Sequence, residues 1–134
     1  MNLLVTGGCG FIGSNFIHTV INRVENLLNL DCLTYAGSHE NIGLLDNHPN
    51  YKFEHVDIRN AEAVNHSIAA NKITHVVHFA AESHVDRSIF NPLSFITTNI
   101  NGTANLLASC HRVEKFVHVS TDEVYGSLGD TGLF

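Results

Sequence analysis

No apolar run in the 134 residues approaches the length of a membrane-spanning helix, and no signal-peptide pattern opens the chain. No membrane partner is therefore expected. Basic residues are scarce: 7 Lys and Arg stand against 13 Asp and Glu, for a net charge of −6. Such a chain repels a phosphate backbone, so no nucleic-acid partner is expected. There are 3 cysteines, Cys9, Cys32 and Cys110, an odd and scattered set without metal-type pairing. They read as reduced thiols and predict a cytoplasmic location. None of the 10 histidines forms a His-x-x-x-His pair on a helix or sits beside a cysteine pair, so no metal site is expected. His75, His78 and His118 lie in apolar, strand-like runs and read as core or sheet-end residues. Repeats, linkers and low-complexity stretches are absent. The length suffices for one core and not for two ordinary domains. With 44% apolar and 15% charged residues, the composition is that of a compact soluble protein.

What is present alternates between two periods. Leu3 to Thr6 reads as a strand. Phe11, Ile12, Phe16, Ile17, Val20, Ile21 and Val24 then trace one face of a helix. Further strands are predicted over Leu27 to Leu33, Tyr51 to Ile58, Thr74 to Ala81 and Phe116 to Ser120. Between them, Glu40 to Leu45 reads as a short helix, and a second helix runs from its cap Asn60 to about Ala70. A longer helix is predicted from Pro92 to about Arg112. Repeated βα units predict an α/β fold with a doubly wound parallel sheet, ordered 3-2-1-4-5.

Thr6 to Gly13 is the most informative stretch. Gly7, Gly10 and Gly13 recur every third residue, between a predicted strand and a predicted helix. The first permits a tight turn, the second lets backbone N–H groups approach a pyrophosphate, and the third lets helix and strand pack closely. The helix N-terminus then faces the phosphates with its positive end. That context predicts dinucleotide binding over residues 1–134 as one domain.

Ligands of open α/β sheets bind at the carboxyl ends of the strands, near the switch point. Five glycine-rich or polar segments converge there. Asp31 lies 18 residues beyond Gly13, where a carboxylate accepts ribose hydroxyls and repels a 2′-phosphate, favouring NAD over NADP. Asp57 could accept from an adenine amino group with Ile58 flanking the ring, or cap the helix that follows. Ala80 to Ser88 begins with small residues against which a cofactor can lie, then becomes densely polar. That polar run lines a wet cleft, or Arg87 pairs with Glu82 or Asp86. Thr98 and Asn99, inside an otherwise apolar helix, could simply bond its backbone. Asp122 and Glu123 leave a buried strand side by side. They reach one pocket only if the chain turns there, as an acid–base pair would require, and otherwise are two solvated loop carboxylates.

The glycine spacing resembles that of the extended short-chain dehydrogenases/reductases. With Asp-Cys-Leu-Thr-Tyr-Ala-Gly (31–37), Ala-Ala-Glu-Ser-His-Val-Asp-Arg-Ser (80–88), Thr-Asn-Ile-Asn-Gly-Thr (98–103) and Ser-Thr-Asp-Glu-Val-Tyr-Gly (120–126), the chain resembles their dTDP-glucose 4,6-dehydratase branch. The resemblance implies NAD as cofactor, dTDP-glucose as substrate, a homodimeric full-length enzyme, and dTDP-4-keto-6-deoxyglucose plus water as products. It implies cofactor contacts from Phe11, Ile12 and the stretch Asp31, Cys32, Leu33 and Thr34. It adds Asp57, Ile58, Ala80, Ala81, Glu82, Ser83, His84 and Thr98. Ser83, His84 and Thr121 would also face the sugar, with Glu123 as base and Asp122 as acid. Related sugar epimerases lack the Asp-Glu pair. Another sugar-nucleotide epimerase or dehydratase, or an NAD-binding module without chemistry, are the competing readings.

Two small departures from that pattern are tolerable: Cys9 where alanine is usual and Ser38 where asparagine is common. One is large. The family's Tyr-x-x-x-Lys pair is absent, since Tyr125 is followed four residues on by Gly129. The chain is therefore expected to be the amino-terminal part of a longer enzyme, with its sheet incomplete on the carboxyl-terminal side and its sugar-nucleotide domain missing.

Overall fold

The computed structural model describes residues 1–127, 129 and 131. Five parallel strands form one sheet ordered 3-2-1-4-5: β1 (Asn2–Thr6), β2 (Asn26–Asp31), β3 (Tyr51–His55), β4 (His75–His78) and β5 (Lys115–His118). This is the doubly wound, Rossmann-like arrangement that the alternating pattern predicts. Successive residues of β1 point to opposite faces, and each face carries its own core. Leu4 packs with Leu28, Leu30, Val64, Val76 and Leu106 on one side. Leu3 and Val5 pack with Ile17, Ile21 and Leu27 on the other. Because both faces are covered, the central strands read as continuous apolar runs.

Four strands end earlier than predicted: β5 stops at His118, and the other three have visible local reasons. β2 stops at Asp31 because Leu33 takes a φ of 50° and its N–H turns back to Asp31 Oδ1 at 2.8 Å. β3 stops at His55, after which Asp57 folds back onto Arg59. β4 stops at His78, after which Phe79 N–H bonds the Thr6 carbonyl at 3.0 Å and Ala80 packs against Gly7 at the end of β1. The short helix expected over 40–45 is instead a pair of 3₁₀ turns, His39–Asn41 and Gly43–Leu45.

Helix α1 (Phe11–Val20) continues into a 3₁₀ turn, Ile21–Arg23. Helix α2 (Ala61–Ala70) begins where predicted, with the Asn60 side chain accepting from Ala63 N–H at 3.1 Å. Two differences lie further on. Residues 85–90 of the polar run form a helix of their own, α3 (Val85–Phe90). The long helix starts at Pro92 as α4 (Pro92–Phe95), widens into a π-helical segment (Ile96–Gly102) and resumes as α5 (Thr103–Ser109). Such wide turns re-aim side chains and recur at functional sites. This one carries Thr98 and Asn99.

Candidate dinucleotide and sugar site

The glycine-rich loop sits at the carboxyl end of β1, where β2 and β4 diverge to either side. Gly7 adopts a φ of 72°, and a Cβ there would lie 2.6 Å from the Ala80 nitrogen. No other residue fits without moving β4's exit. A Cβ at Gly13 would overlap the Gly7 carbonyl oxygen, so the third glycine sets how closely α1 packs on the loop. Gly10 differs. A Cβ there meets nothing nearer than 3.4 Å, so nothing in the chain itself demands glycine. Its open side faces the start of α1, whose first turn has no side-chain cap and no acidic residue. Phe11 and Ile12 flank that end at 82% and 63% exposure. Uncapped N–H donors, a helix dipole and a missing side chain together make a cradle for a pyrophosphate, so the residues present fit a dinucleotide.

Cys9 takes the family's alanine position without strain. It is fully buried, and burial followed by the nearby Asp31 charge pushes its thiol up to about 11. The carboxylate of Asp31 is almost buried. Its Oδ2 accepts the Cys9 N–H at 2.9 Å and its Oδ1 the Leu33 N–H. It is thus a wired-in part of the loop and not a solvated strand end. Each oxygen keeps a lone pair for a ribose hydroxyl. The segment after β2, with Cys32, Leu33 and Thr34, is tied to the loop through Ser38 N–H, which donates to the Cys9 carbonyl at 3.0 Å.

Asp57 is held by Arg59, whose Nε donates at 2.9 and 3.0 Å and whose other guanidinium nitrogen reaches Oδ2 at 2.5 Å. That pairing keeps the Asp57 carboxyl below the usual carboxylate range. The helix cap is Asn60. Ile58 is buried beneath Gly102 of the π segment, so the rim meets its backbone more than its side chain.

After β4, Ala80 and Ala81 pass beside the loop, and Glu82, Ser83 and His84 follow. Neither pairing of Arg87, with Glu82 or with Asp86, forms among the described residues. Arg87 lies over the ring of Tyr35, with its guanidinium carbon 3.5 Å from the centroid, and Tyr35 donates to Glu82 Oε2 at 3.1 Å. Asn99 does not bond its own helix. Its amide donates to the Glu82 carbonyl and accepts the Glu82 N–H, both at 2.8 Å. Thr97, two residues earlier, makes the helix-backbone bond, to the Leu93 carbonyl at 2.9 Å. Thr98 is half-buried beside them.

At the end of β5 the chain does turn. Thr121 is extended, and Asp122–Tyr125 forms a 3₁₀ turn that leaves Asp122 and Glu123 exposed together. The two carboxylates thus leave the sheet after β5, the strand next to β4 and two strands from β1, at the same carboxyl-end side as the glycine-rich loop.

Two buried polar arrangements lie beneath this rim: His78 sits in the core at the end of β4 as expected, while its partners and the Asn29 contact escape sequence reasoning. Thr6 Oγ1 accepts the Ala80 N–H at 3.4 Å and is hydrogen-bonded to His78 Nδ1 at 2.6 Å. The other ring nitrogen, Nε2, is hydrogen-bonded to Thr103 Oγ1 at 3.0 Å, so a hydroxyl partners each side of the ring. Burial, with His118 stacked at 5.0 Å, lowers the His78 pKa to about 4. On the other face, Asn29 donates to Tyr51 Oη at 2.9 Å, while its buried Oδ1 has no partner among the described residues. That oxygen lies under Gly8, where a Cβ would overlap it. The polar residue inside the apolar β2 was a visible signal of this arrangement.

A doubly wound sheet with a glycine-rich turn at its switch point and a carboxylate ending β2 defines a dinucleotide-binding domain of the Rossmann type. The chain belongs to the GDP-mannose 4,6 dehydratase family, whose model matches residues 4–133. It is 48% identical to the low-salt glycan biosynthesis protein Agl12 of Haloferax volcanii, covering 97% of this chain and 42% of that protein. It is 44% identical to a dTDP-glucose 4,6-dehydratase of Escherichia coli, over 96% of this chain and 39% of the other. The crystal structure of DesIV, a dTDP-glucose 4,6-dehydratase from Streptomyces venezuelae with NAD bound, superposes with a TM-score of 0.92 at 45% identity. That match covers 100% of this chain and 43% of DesIV. A UDP-glucose 4-epimerase of Thermotoga maritima matches at 31% identity and a TM-score of 0.85, over 98% of this chain and 41% of its own. The chain thus spans about two fifths of the length of the relatives it matches.

Proposed function

We propose that residues 1–134 form the NAD-binding domain of a dTDP-glucose 4,6-dehydratase, which converts dTDP-glucose to dTDP-4-keto-6-deoxyglucose and water. The observation that carries this reading is the exposed Asp122–Glu123 turn that follows β5, two strands from the glycine-rich loop in the same parallel sheet. The 44% and 45% identities to dehydratases of that substrate support it.

Bound NAD would supply the acceptor, and later the donor, of a hydride. This chain's groups account for binding and for the elimination, and not for the O4 proton lost as C4 is oxidised. The N-terminal N–H groups of α1 hold the pyrophosphate and Asp31 holds the adenosine ribose. Asp57 with the Ile58 backbone meets the adenine. Ala80, Ala81 and Thr98 line the cofactor, and Ser83 and His84 turn toward the sugar. Thr121 bonds the sugar near O4. Once C4 is a ketone, the C5 proton is acidic. Glu123 removes it, and Asp122 protonates the C6 hydroxyl as it leaves. Two neighbouring carboxylates with different tasks are a workable acid–base pair once substrate desolvates them unequally.

A homodimer fits the exposed apolar side chains of Val85 and Ile89 on α3 and of Leu93, Ile96 and Ile100 beyond it. A cytoplasmic location fits the three unpaired thiols. Among the described residues, no helix is long and apolar enough to cross a membrane.

The test uses the protein that carries this chain. Glu123→Gln should retain hydride removal from C4 of dTDP-glucose and lose exchange of the C5 proton with solvent. C5 exchange at the unaltered rate would remove Glu123 as the base.

A further inference from the structure

We propose that Tyr35, Glu82 and Arg87 form a clasp across the dinucleotide groove that slows release of bound NAD, an inference that rests on the NAD-binding reading above. β2 and β4 flank β1 on opposite sides, so the segments that follow them wall the glycine-rich loop from both directions. On one side the Ala36 carbonyl lies 3.9 Å from where a Gly10 Cβ would stand. On the other the Ala80 nitrogen lies 2.6 Å from the same position on Gly7. Any ligand that runs from Asp31 toward the end of β5 over Gly10 must pass between these walls.

Tyr35 closes that gap. Its hydroxyl donates to Glu82 Oε2 at 3.1 Å, and its ring lies under the Arg87 guanidinium at 3.5 Å. The His84 ring meets it edge-on, with centroids 6.4 Å apart. The far wall is braced, because Asn99 holds the Glu82 backbone through two 2.8 Å hydrogen bonds. The near wall is anchored at Asp31 and by Ser38 on the Cys9 carbonyl. Two fixed walls joined by one side-chain bridge make a clasp and not a loop contact. Tyr35 and Arg87 are exposed, so the bridge can open without disturbing either core. The proposed chemistry gives retention a purpose. A hydride taken from C4 and returned to C6 leaves NAD unchanged, so the cofactor has no reason to exchange between turnovers.

NAD binding and release are measured on this chain by titration and by chase with excess unlabelled NAD. An exposed cation–π contact and a neutral-to-charged hydrogen bond are each modest, so effects of about three- to tenfold are expected. Tyr35→Phe, which keeps the stack, should speed release about threefold, and Arg87→Met about fivefold. The double variant should fall short of the product, since both changes break one bridge. Arg87→Lys should restore part of the loss. Association should change less than release. Thermal midpoints without NAD should stay near that of the unaltered chain, because neither side chain is in a core. Unchanged release in Arg87→Met would overturn the clasp. So would faster association and tighter binding, because the bridge would then be an obstacle in the groove. An unaltered chain that binds no NAD would instead overturn the dinucleotide reading beneath it.

Discussion

The Asp31 carboxylate and the Cys9 backbone N–H, 22 residues apart, are joined by a buried 2.9 Å hydrogen bond. One side chain therefore holds the glycine-rich loop and presents negative charge where the adenosine ribose would lie. From this follows a preference for NAD. A 2′-phosphate would be brought against a carboxylate that cannot swing away, since both its oxygens are bonded. Titration with both cofactors should show much weaker NADP binding. Asp31→Ala should narrow the difference and also lower stability by about 1–3 kcal/mol, because two backbone donors lose their acceptor. NADP binding as tight as NAD would sink the assignment.

His78 makes stability depend on pH with a defined sign. Its folded pKa of about 4 lies below its ordinary value of 6.5. The unfolded chain thus binds the proton more readily between those values. The contribution of a neutral His78 is complete above about pH 6.5 and is lost as pH falls toward 4, with a ceiling near 3 kcal/mol. Denaturant melts from pH 7 to pH 4 should show the decline. His78→Leu should be less stable at pH 7, having orphaned Thr6 and Thr103, yet should have a shallower pH slope. An equal slope would assign the decline to other groups.

The sheet order was legible because it follows from alternating periods, and the glycine-rich turn because its glycines fall between a strand and a helix. Gly7, Gly13 and Asp31 carry their geometry in their residue types. The bridge from Tyr35 to Arg87 was hidden, because only the β2-β1-β4 order brings those segments together. Arg87 had nearer carboxylates in sequence, and pairing with them was the natural guess. Thr6 and His78 face one another across paired strands, at a register no local pattern reveals. The strand ends were overrun because apolar residues continue past Asp31 and His78, while a positive φ at Leu33 and the close approach of Ala80 to Gly7 end the ladders.

The clip between Asn99 and Glu82 should be visible by hydrogen exchange. Asn99 accepts the Glu82 N–H and donates to its carbonyl. Asn99→Ala should free both groups, cost about 1 kcal/mol and speed exchange at the Glu82 amide about fivefold. Asn99→Asp keeps the acceptor and should preserve protection of that amide. If both variants exchange alike, the amide is protected by something other than this side chain.

Gly10 and Gly13 separate what the ligand requires from what the fold requires. A methyl at Gly13 would collide with the Gly7 carbonyl and come within 2.9 Å of the Gly8 Cα, backbone that cannot yield without displacing the loop. Gly13→Ala should therefore destabilise the chain by about 1–3 kcal/mol, with or without cofactor. At Gly10 the nearest atom is 3.4 Å away, which is ordinary contact. Gly10→Ala should cost only a few tenths of a kcal/mol to about 1, for a poorer residue at the start of α1. Its methyl would nonetheless stand where a pyrophosphate must approach the N–H groups of the first turn. Loss of one charge-assisted hydrogen bond corresponds to about tenfold in affinity or more. Paired thermal melts and NAD titrations of the two variants decide the matter. Should Gly10→Ala bind NAD as tightly as the unaltered chain, the pyrophosphate does not cross the loop at Gly10, and the cradle has been assigned to the wrong side of α1.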